Sequence, residues 1–300
     1  MSEAIDTSLP VRPPSLPARI TASSARIVAK LVQEPLGLAG FVILGLLCVV
    51  ALIAPWLAPY DPNIQVLSDA LKPPNAAHWA GTDEFGRDIL SRLIYGTRIT
   101  VQTVLSISLI VGPIGLLIGV VAGFFGGRTD ALLMRATDIV LSFPSLILAL
   151  AFAAALGAGL TTAIIAISLT AWPPIARLAR AEALVVRNAD YVAAARLYGA
   201  SPLRILFVYI APMCIPSVIV RLTLNMAGII LTAASLGFLG LGAQPPAPEW
   251  GAMISNGRKF MLDYWWVAVM PGLAILISSL AFNIAGDALR DILDPRHARS

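Results

Sequence analysis

The chain is short of charge. Only 13% of its 300 residues are Asp, Glu, Lys or Arg and 58% are hydrophobic, where a soluble domain carries roughly 25% charged and 45–50% apolar residues. So few charges cannot cover a water-facing surface, which excludes an ordinary soluble enzyme, a disordered protein and a nucleic-acid binder. Lysine is nearly missing: Lys30, Lys72 and Lys259 are all there is. None of them sits in a Gly-x-x-x-x-Gly-Lys-Ser/Thr loop, so the chain has no cradle for nucleotide phosphates. The two histidines, His78 and His297, are not at metal-ligand spacing, which argues against a metal site. Neither His-Glu-x-x-His nor Gly-x-Ser-x-Gly is present, so an intramembrane hydrolase is disfavoured. Cys48 and Cys214 lie inside apolar runs and imply no disulfide framework.

What the chain does have is long runs free of charge. A spanning helix needs about 20 mainly apolar residues, because lipid offers backbone groups no hydrogen-bond partners. Between Glu34 and Asp61 there are 26 uncharged residues, between Arg98 and Arg128 there are 29, and between Asp138 and Arg177 there are 38. The third run is long enough for two short spans hinged near Gly157 and Gly159. Two more runs, of 27 residues between Arg221 and Glu249 and of 23 between Asp263 and Asp287, bring the expectation to six transmembrane helices in an all-α polytopic membrane protein. The first run exceeds the 7–15 residues of a signal-peptide core. It follows a tail, Met1 to Glu34, rich in Pro, Ser and Ala, whose start has the composition of a disordered segment.

Basic residues set the orientation. With the N-terminus inside, 14 Lys and Arg residues fall on cytoplasmic segments and 6 outside, with Arg221 at or within a span. That bias predicts both termini in the cytoplasm. Trp56, Tyr60, Tyr264, Trp265 and Trp266 then form an aromatic belt at the outer interface. Gly115, Gly119 and Gly123, four apart, strip one helical face and let another helix approach closely. Arg221 either lies about 13 Å deep, if the fifth span starts at Pro212, or snorkels to the inner surface, if the span starts at Leu222. The second arrangement is preferred, since about 20 apolar residues still remain to cross. Asp138, at the start of span three, is expected to pair with a basic residue at the inner face. Asn225 and Asn283 are polar groups that either line a pathway or hydrogen-bond between helices.

Arg177 to Pro212 is too polar to span and too patterned for a loose loop. Asn188 is placed to cap a helix whose Tyr191, Ala194, Ala195 and Tyr198 share one face. Gly199 stops it, and Ser201-Pro202 starts a second helix through Leu203, Leu206, Phe207 and Ile210. The resulting amphipathic elbow, 188–212, fits a partner's groove or a membrane surface equally well. On the outer side, Thr82 is expected to cap a helix with Asp83 and Glu84 at its positive end and Phe85, Ile89, Leu93 and Ile94 along one side. The three prolines between Gly242 and Gly251 suit a stiff lip.

Ala193-Ala194-Ala195, then Gly199 and Pro212 thirteen residues later, resembles the coupling signature of bacterial binding-protein-dependent ABC importer permeases: Glu-Ala-Ala, three residues, Gly, nine residues, Ile-x-Leu-Pro. Ala193 stands in place of the usual Glu, Tyr209 of Ile and Ala211 of Leu. Three longer stretches resemble the second, C-type permease of the dipeptide, oligopeptide and nickel importers. These are Gly81-Thr82-Asp83-Glu84-Phe85-Gly86-Arg87-Asp88 with Ser91-Arg92 and Gly96; Gly242-Ala243-Gln244-Pro245-Pro246 with Glu249-Trp250-Gly251; and Gly286-Asp287-Ala288-Leu289-Arg290-Asp291 with Asp294-Pro295-Arg296. The likeness runs over about residues 36–297.

The resemblance implies a type I ABC importer transmembrane domain in the bacterial cytoplasmic membrane. It would have a tail at 1–35, a first helix and periplasmic loop at 36–98 and a permease core at 99–300. It implies a second homologous permease as partner, two ATP-binding subunits that hold the ATP, and a periplasmic or lipid-anchored solute-binding protein, with no cofactor or metal in this chain. The coupling residues would be Tyr191, Ala193, Ala194, Ala195, Gly199, Ala200, Ser201, Pro202 and Pro212. Asp83, Gly86, Arg87, Asp88, Arg92, Glu249 and Trp250 would form the periplasmic gate or docking region. The implied cargo is di- or oligopeptides, with nickel, glutathione or oligosaccharide as alternatives, and the mechanism is alternating access. A stand-alone channel or secondary transporter would call for an internal repeat or paired broken helices, and the sequence has no such symmetry.

Overall fold

A computed structural model of the chain describes residues 34–293. The tail before Glu34 and the terminal Asp294-Pro295-Arg296 stretch lie outside the described residues. The regular elements in the described part are helices, and the only β pairing there is an isolated bridge between Thr82 and Asp88. In chain order they are α1 (Pro35–Leu57), α2 (Ile89–Phe125), α3 (Gly127–Leu141), α4 (Ser145–Leu156), α5 (Leu160–Ala171), α6 (Pro173–Val186), α7 (Asp190–Leu197), α8 (Pro202–Phe238), α9 (Trp250–Gly257) and α10 (Trp266–Leu293).

Five stretches are long and apolar enough to cross a membrane: α1, α2, α5 with α6, α8 and α10. The pair α3–α4, bent by 87°, makes a sixth. Counted as one span, the bent pair brings the total to the six expected, and Gly157 to Gly159 then separates the third from the fourth. Two helices begin before their charge-free runs. Thus α2 starts at Ile89 and α8 runs unbroken from Pro202. Each has 37 residues, about 55 Å at 1.5 Å per residue, against roughly 30 Å of hydrocarbon. Both must project beyond the bilayer. The elbow's second limb and the fifth span are thus one rod, where the sequence pattern divides them at Pro212. Pro212 cannot donate a backbone hydrogen bond. The helix absorbs this through a wider turn, Ile205–Ile210, after which the Ala211 N–H reaches the Leu206 carbonyl five residues back.

The bundle closes around small residues. A methyl at Gly115 would lie 2.7 Å from Ile175 Cβ, one at Gly119 2.7 Å from Ala179 Cβ, and one at Gly123 2.7 Å from Ala183 Cβ. This constant offset of sixty residues lays α6 along α2 in parallel register, and the glycine stripe is a packing seam. Similar close seats join α1 to α10, where Gly37 meets Ala288. Gly286 on α10 touches the Leu224 side chain on α8. Arg221, one turn before Leu224, accordingly lies level with the stretch from Asp287 to Arg290. Its side chain is exposed. Large apolar side chains on the outside of α1, such as Leu52 and Trp56, are exposed, as lipid-facing positions must be.

Candidate functional site

Two ends of the bundle carry the residues singled out from sequence. At the elbow end, α7 closes with a complete glycine-terminated cap. The Ala200 N–H donates to the Ala195 carbonyl and the Gly199 N–H to the Arg196 carbonyl, both at 3.0 Å. Gly199 has φ +77°, a conformation that costs a side-chain-bearing residue about 1–2 kcal/mol. Ser201 accepts a hydrogen bond from the Arg204 N–H at 3.4 Å and caps the helix that opens with Pro202.

Two details differ from the sequence expectation. Asn188 does not cap α7. Its side-chain amide donates back to the Leu184 carbonyl at 3.1 Å, and the helix starts at Asp190 after Ala189. The buried face of α7 is Val192 with Ala195, not the face through Tyr191, Ala194 and Tyr198. The period is as expected, but the phase is one residue out, because Val192 is the larger apolar group able to reach the bundle. The consequence is an outward-facing tip. Tyr191, Ala193, Ala194, Gly199, Ser201, Pro202 and Pro212 are exposed, Ala200 is half-buried, and Leu197 and Tyr198 are 89% and 92% accessible. Leu203 and Phe207, on the helix that follows, are also exposed, Phe207 beside Pro113, Leu116 and Leu117 of α2. So large an unpartnered apolar tip beside arginines has the composition of an interaction site.

Arginines fasten the limb behind this tip. Arg180 embraces Asp130 with two bonds, Nε to Oδ1 at 2.5 Å and Nη2 to Oδ2 at 2.6 Å. Arg177 bonds Asp138 at 2.6 Å, the basic partner expected for that carboxylate. Arg187 donates to the Gly123 carbonyl at 2.8 Å, near the negative end of α2. The Arg196 guanidinium stands 5.8 Å from the Phe124 ring. These side chains enter the sequence reading only through their charge; nothing in their spacing signals partners as distant as the fifty residues between Asp130 and Arg180.

At the opposite end, the loop between α1 and α2 is tightly built. Thr82 does not cap a helix. It is fully buried, its hydroxyl accepting from the Lys72 N–H at 2.9 Å and donating to the Asp69 carbonyl at 2.5 Å. The capping role falls to Asp88, which accepts from the Ser91 N–H and hydroxyl, each at 2.7 Å, and pairs with His78 Nδ1 at 2.9 Å. Asp83 instead organises the turn before the helix. It accepts the Phe85 and Arg87 N–H groups at 2.9 and 3.0 Å and binds Arg87 Nε at 2.6 Å. Gly86, with φ +71°, presses against the Val66 carbonyl, where a Cβ would collide. Arg92 donates to the Pro62 carbonyl at 2.8 Å and lies 3.7 Å from Asp83.

The second loop-end piece, α9, is locked to this cap. Glu249 caps it by accepting from the Gly251 and Ala252 N–H groups at 2.8 and 2.7 Å. Burial pushes its carboxyl above the usual carboxylate range, and those two hydrogen bonds oppose the shift. Trp250 is 2% accessible, covers Gly96 and donates to the Leu93 carbonyl. Trp266, expected in the aromatic belt, is buried and donates to the Thr82 carbonyl at 3.3 Å. The structure thus brings Asp83, Arg87 and Arg92 into one buried cluster next to Met253 and Asn256 of α9, with buried Asp88 capping α2, while Glu249 bears on Gly237 and Trp250 on Gly96. These side chains shape the surface from beneath rather than standing on it. Asn225 is half-buried on α8, and Asn283 is exposed on α10.

Comparison with known proteins places this architecture. Residues 115–299 match the profile of the binding-protein-dependent transport system inner membrane component, and residues 24–74 match that of the N-terminal transmembrane domain of oligopeptide transport permease C. The chain belongs to the family of binding-protein-dependent transport system inner membrane components, as a multi-pass permease. It is 46% identical over 274 residues to the probable D,D-dipeptide transport system permease protein DdpC of Escherichia coli K12, covering 91% of this chain and 92% of that one. It is 48% identical over 266 residues to the di/tripeptide transport system permease protein DppC of Pseudomonas aeruginosa, covering 86% and 88%. The nickel transport system permease protein NikC of Escherichia coli K12 is 43% identical over 258 residues, covering 85% and 92%. In fold, the chain resembles the inward-facing MetNI methionine ABC transporter at a TM-score of 0.56 and 20% identity, over 69% of this chain and 98% of that one.

Proposed function

We propose that this chain is one of two permease subunits in an ABC importer of di- or oligopeptides. The elbow end faces the cytoplasm with both termini, in keeping with the excess of basic residues on that side. Two separate ATPases seat on the elbows, bind all the ATP and close on it. A second, similar permease completes the pathway, and an external solute-binding protein delivers cargo over the loop-end cap. The observation that carries the reading is the elbow tip, where Leu197 and Tyr198 project almost fully accessible from a helix whose other face is anchored by Val192. An exposed apolar knob flanked by arginines suits a protein groove. The peptide cargo is supported by the names of the relatives DdpC and DppC.

The chemistry asked of this chain is mechanical. ATP-driven approach of the ATPases moves α7. The unbroken α8 rod and the α5–α6 rod, both joined to the elbow, then tilt and exchange an outward opening for an inward one. A cargo of nickel is the second reading, favoured by the relative NikC. The test is reconstitution of the chain with its permease partner, ATPases and solute-binding protein in liposomes. Dialanine uptake that needs every component and ATP is the expected result. Uptake of nickel without dialanine selects the second reading, and uptake by this chain alone overturns both.

A further inference from the structure

The geometry points to Asp130 and Arg180 as positioning residues: a tie that makes α3 follow the elbow limb α6–α7 and so carries its movement to α4. This rests on the permease reading above. Three observations lead to it. First, apolar packing holds α3 on one side only and shallowly: Thr137 is its one buried residue, Leu133, Met134 and Val140 are half-buried beside it, and Leu132 and Ile139 are exposed. Secondly, its backbone attachment to α2 is a two-glycine joint, Gly126 at φ +65° and Gly127 at φ +54°; a Cβ at Gly126 would lie 3.2 Å from Arg187 Nη1, and one at Gly127 would meet nothing within 4 Å. Glycine lets the backbone at such a joint change direction at little steric cost. At its other end α3 turns 87° into α4.

Thirdly, the directional hold on α3 is ionic. The Arg180 fork grips both oxygens of Asp130, the arrangement that gives an arginine–carboxylate pair its directional stiffness. The pair is two-thirds or more shielded, with side chains 33% and 19% accessible, whereas Arg177 and Asp138 are 54% and 58% accessible and so contribute less. Arg180 lies on the rod that leads directly into α7. With the tie closed, elbow, α6 and α3 move as one body, and the bend at its end turns that movement into a displacement of α4. With the tie open, α3 pivots on its glycines and the stroke is lost before it reaches the third span.

The test uses the complete assembly of both permeases, two ATPases and solute-binding protein in proteoliposomes. Spin labels at Ala131 and Val185, both exposed, report the distance between α3 and the elbow limb with no substitution in the tie. That distance should be equal in the nucleotide-free and ATP-trapped states, and a change between them overturns the proposal. Asp130→Asn and Arg180→Gln should each lower dialanine delivered per ATP hydrolysed by roughly five-fold, the low end of ordinary coupling between sites, with assembly and ATP hydrolysis retained. The exchange D130R/R180D should restore at least half. Single variants that deliver like the wild type, or an exchange no better than the singles, sink the tie. A wild type that assembles with its ATPases but carries no dialanine refutes the cargo reading alone, and the distance measurement still decides the tie.

Discussion

The Trp250 indole N–H donates to the carbonyl of Leu93, 3.2 Å away and 157 residues earlier in the chain. The bond fastens the short helix α9 to the first turns of α2, and it exists because Gly96 leaves room for the ring: any Cβ there would collide with the indole nitrogen and with the Pro248 carbonyl. The loop-end cap is thereby one unit. Glu249 bears on Gly237 of α8, Trp250 on α2, and Trp266 at the start of α10 on Thr82.

Removing that fastening has a graded cost. Trp250→Phe keeps most of the ring and loses the hydrogen bond, about 1 kcal/mol. Trp250→Ala empties a buried site and should cost about 3–5 kcal/mol. Gly96→Ala should behave like Trp250→Ala, since the ring must leave its seat. Thermal unfolding of the purified protein in detergent should rank them Phe first, then Ala and the Gly96 variant together. A Gly96→Ala protein as stable as wild type would mean that the close seat can relax.

How much of the fold and of the site is legible in the sequence follows from the range of the forces involved. The spans are legible because a bilayer forbids unpaired backbone groups, so a charge-free run of about 20 residues or more must cross as helix. Gly199 and Ser201-Pro202 are legible because stop and start signals act within a turn. The start of α2 is not. Thr82 and Asp88 are both competent caps, and the choice is made by Asp69 and Lys72, which claim the Thr82 hydroxyl from more than nine residues away. Likewise the face of α7 has the right period and the wrong phase, because burial of Val192 depends on where the bundle lies. The Asp130–Arg180 pair has no local signature at all.

Glu249 gives the cap a pH dependence with a definite sign. Its folded carboxyl is held above the ordinary carboxylate range by burial. At a pH below that range both folded and unfolded states are protonated, and the group's contribution to stability is fully present. As pH rises, the unfolded chain ionises first, so stability falls until the folded group ionises too, and then levels off. Glu249→Gln removes the titration. The difference in melting temperature, wild type minus E249Q, should therefore decline as pH rises from about 4 and then flatten. A difference that stays constant or grows over that interval would contradict the assignment.

The elbow's stiffness is tested most directly at Gly199. Its φ is +77°, and a Cβ placed there would have no atom within 4 Å. Two costs that usually mix are thereby separated: a new side chain meets strain but no clash. Gly199→Asn, which tolerates the left-handed region, should keep transport close to wild type. Gly199→Leu should cost about 1–2 kcal/mol of local backbone energy, enough to loosen the α7 end cap and lower cargo moved per ATP hydrolysed, with expression unchanged. Because the space around the position is open, a Leu variant that transports as well as the Asn variant would show that the elbow need not hold its shape, and that force enters the membrane helices by another route.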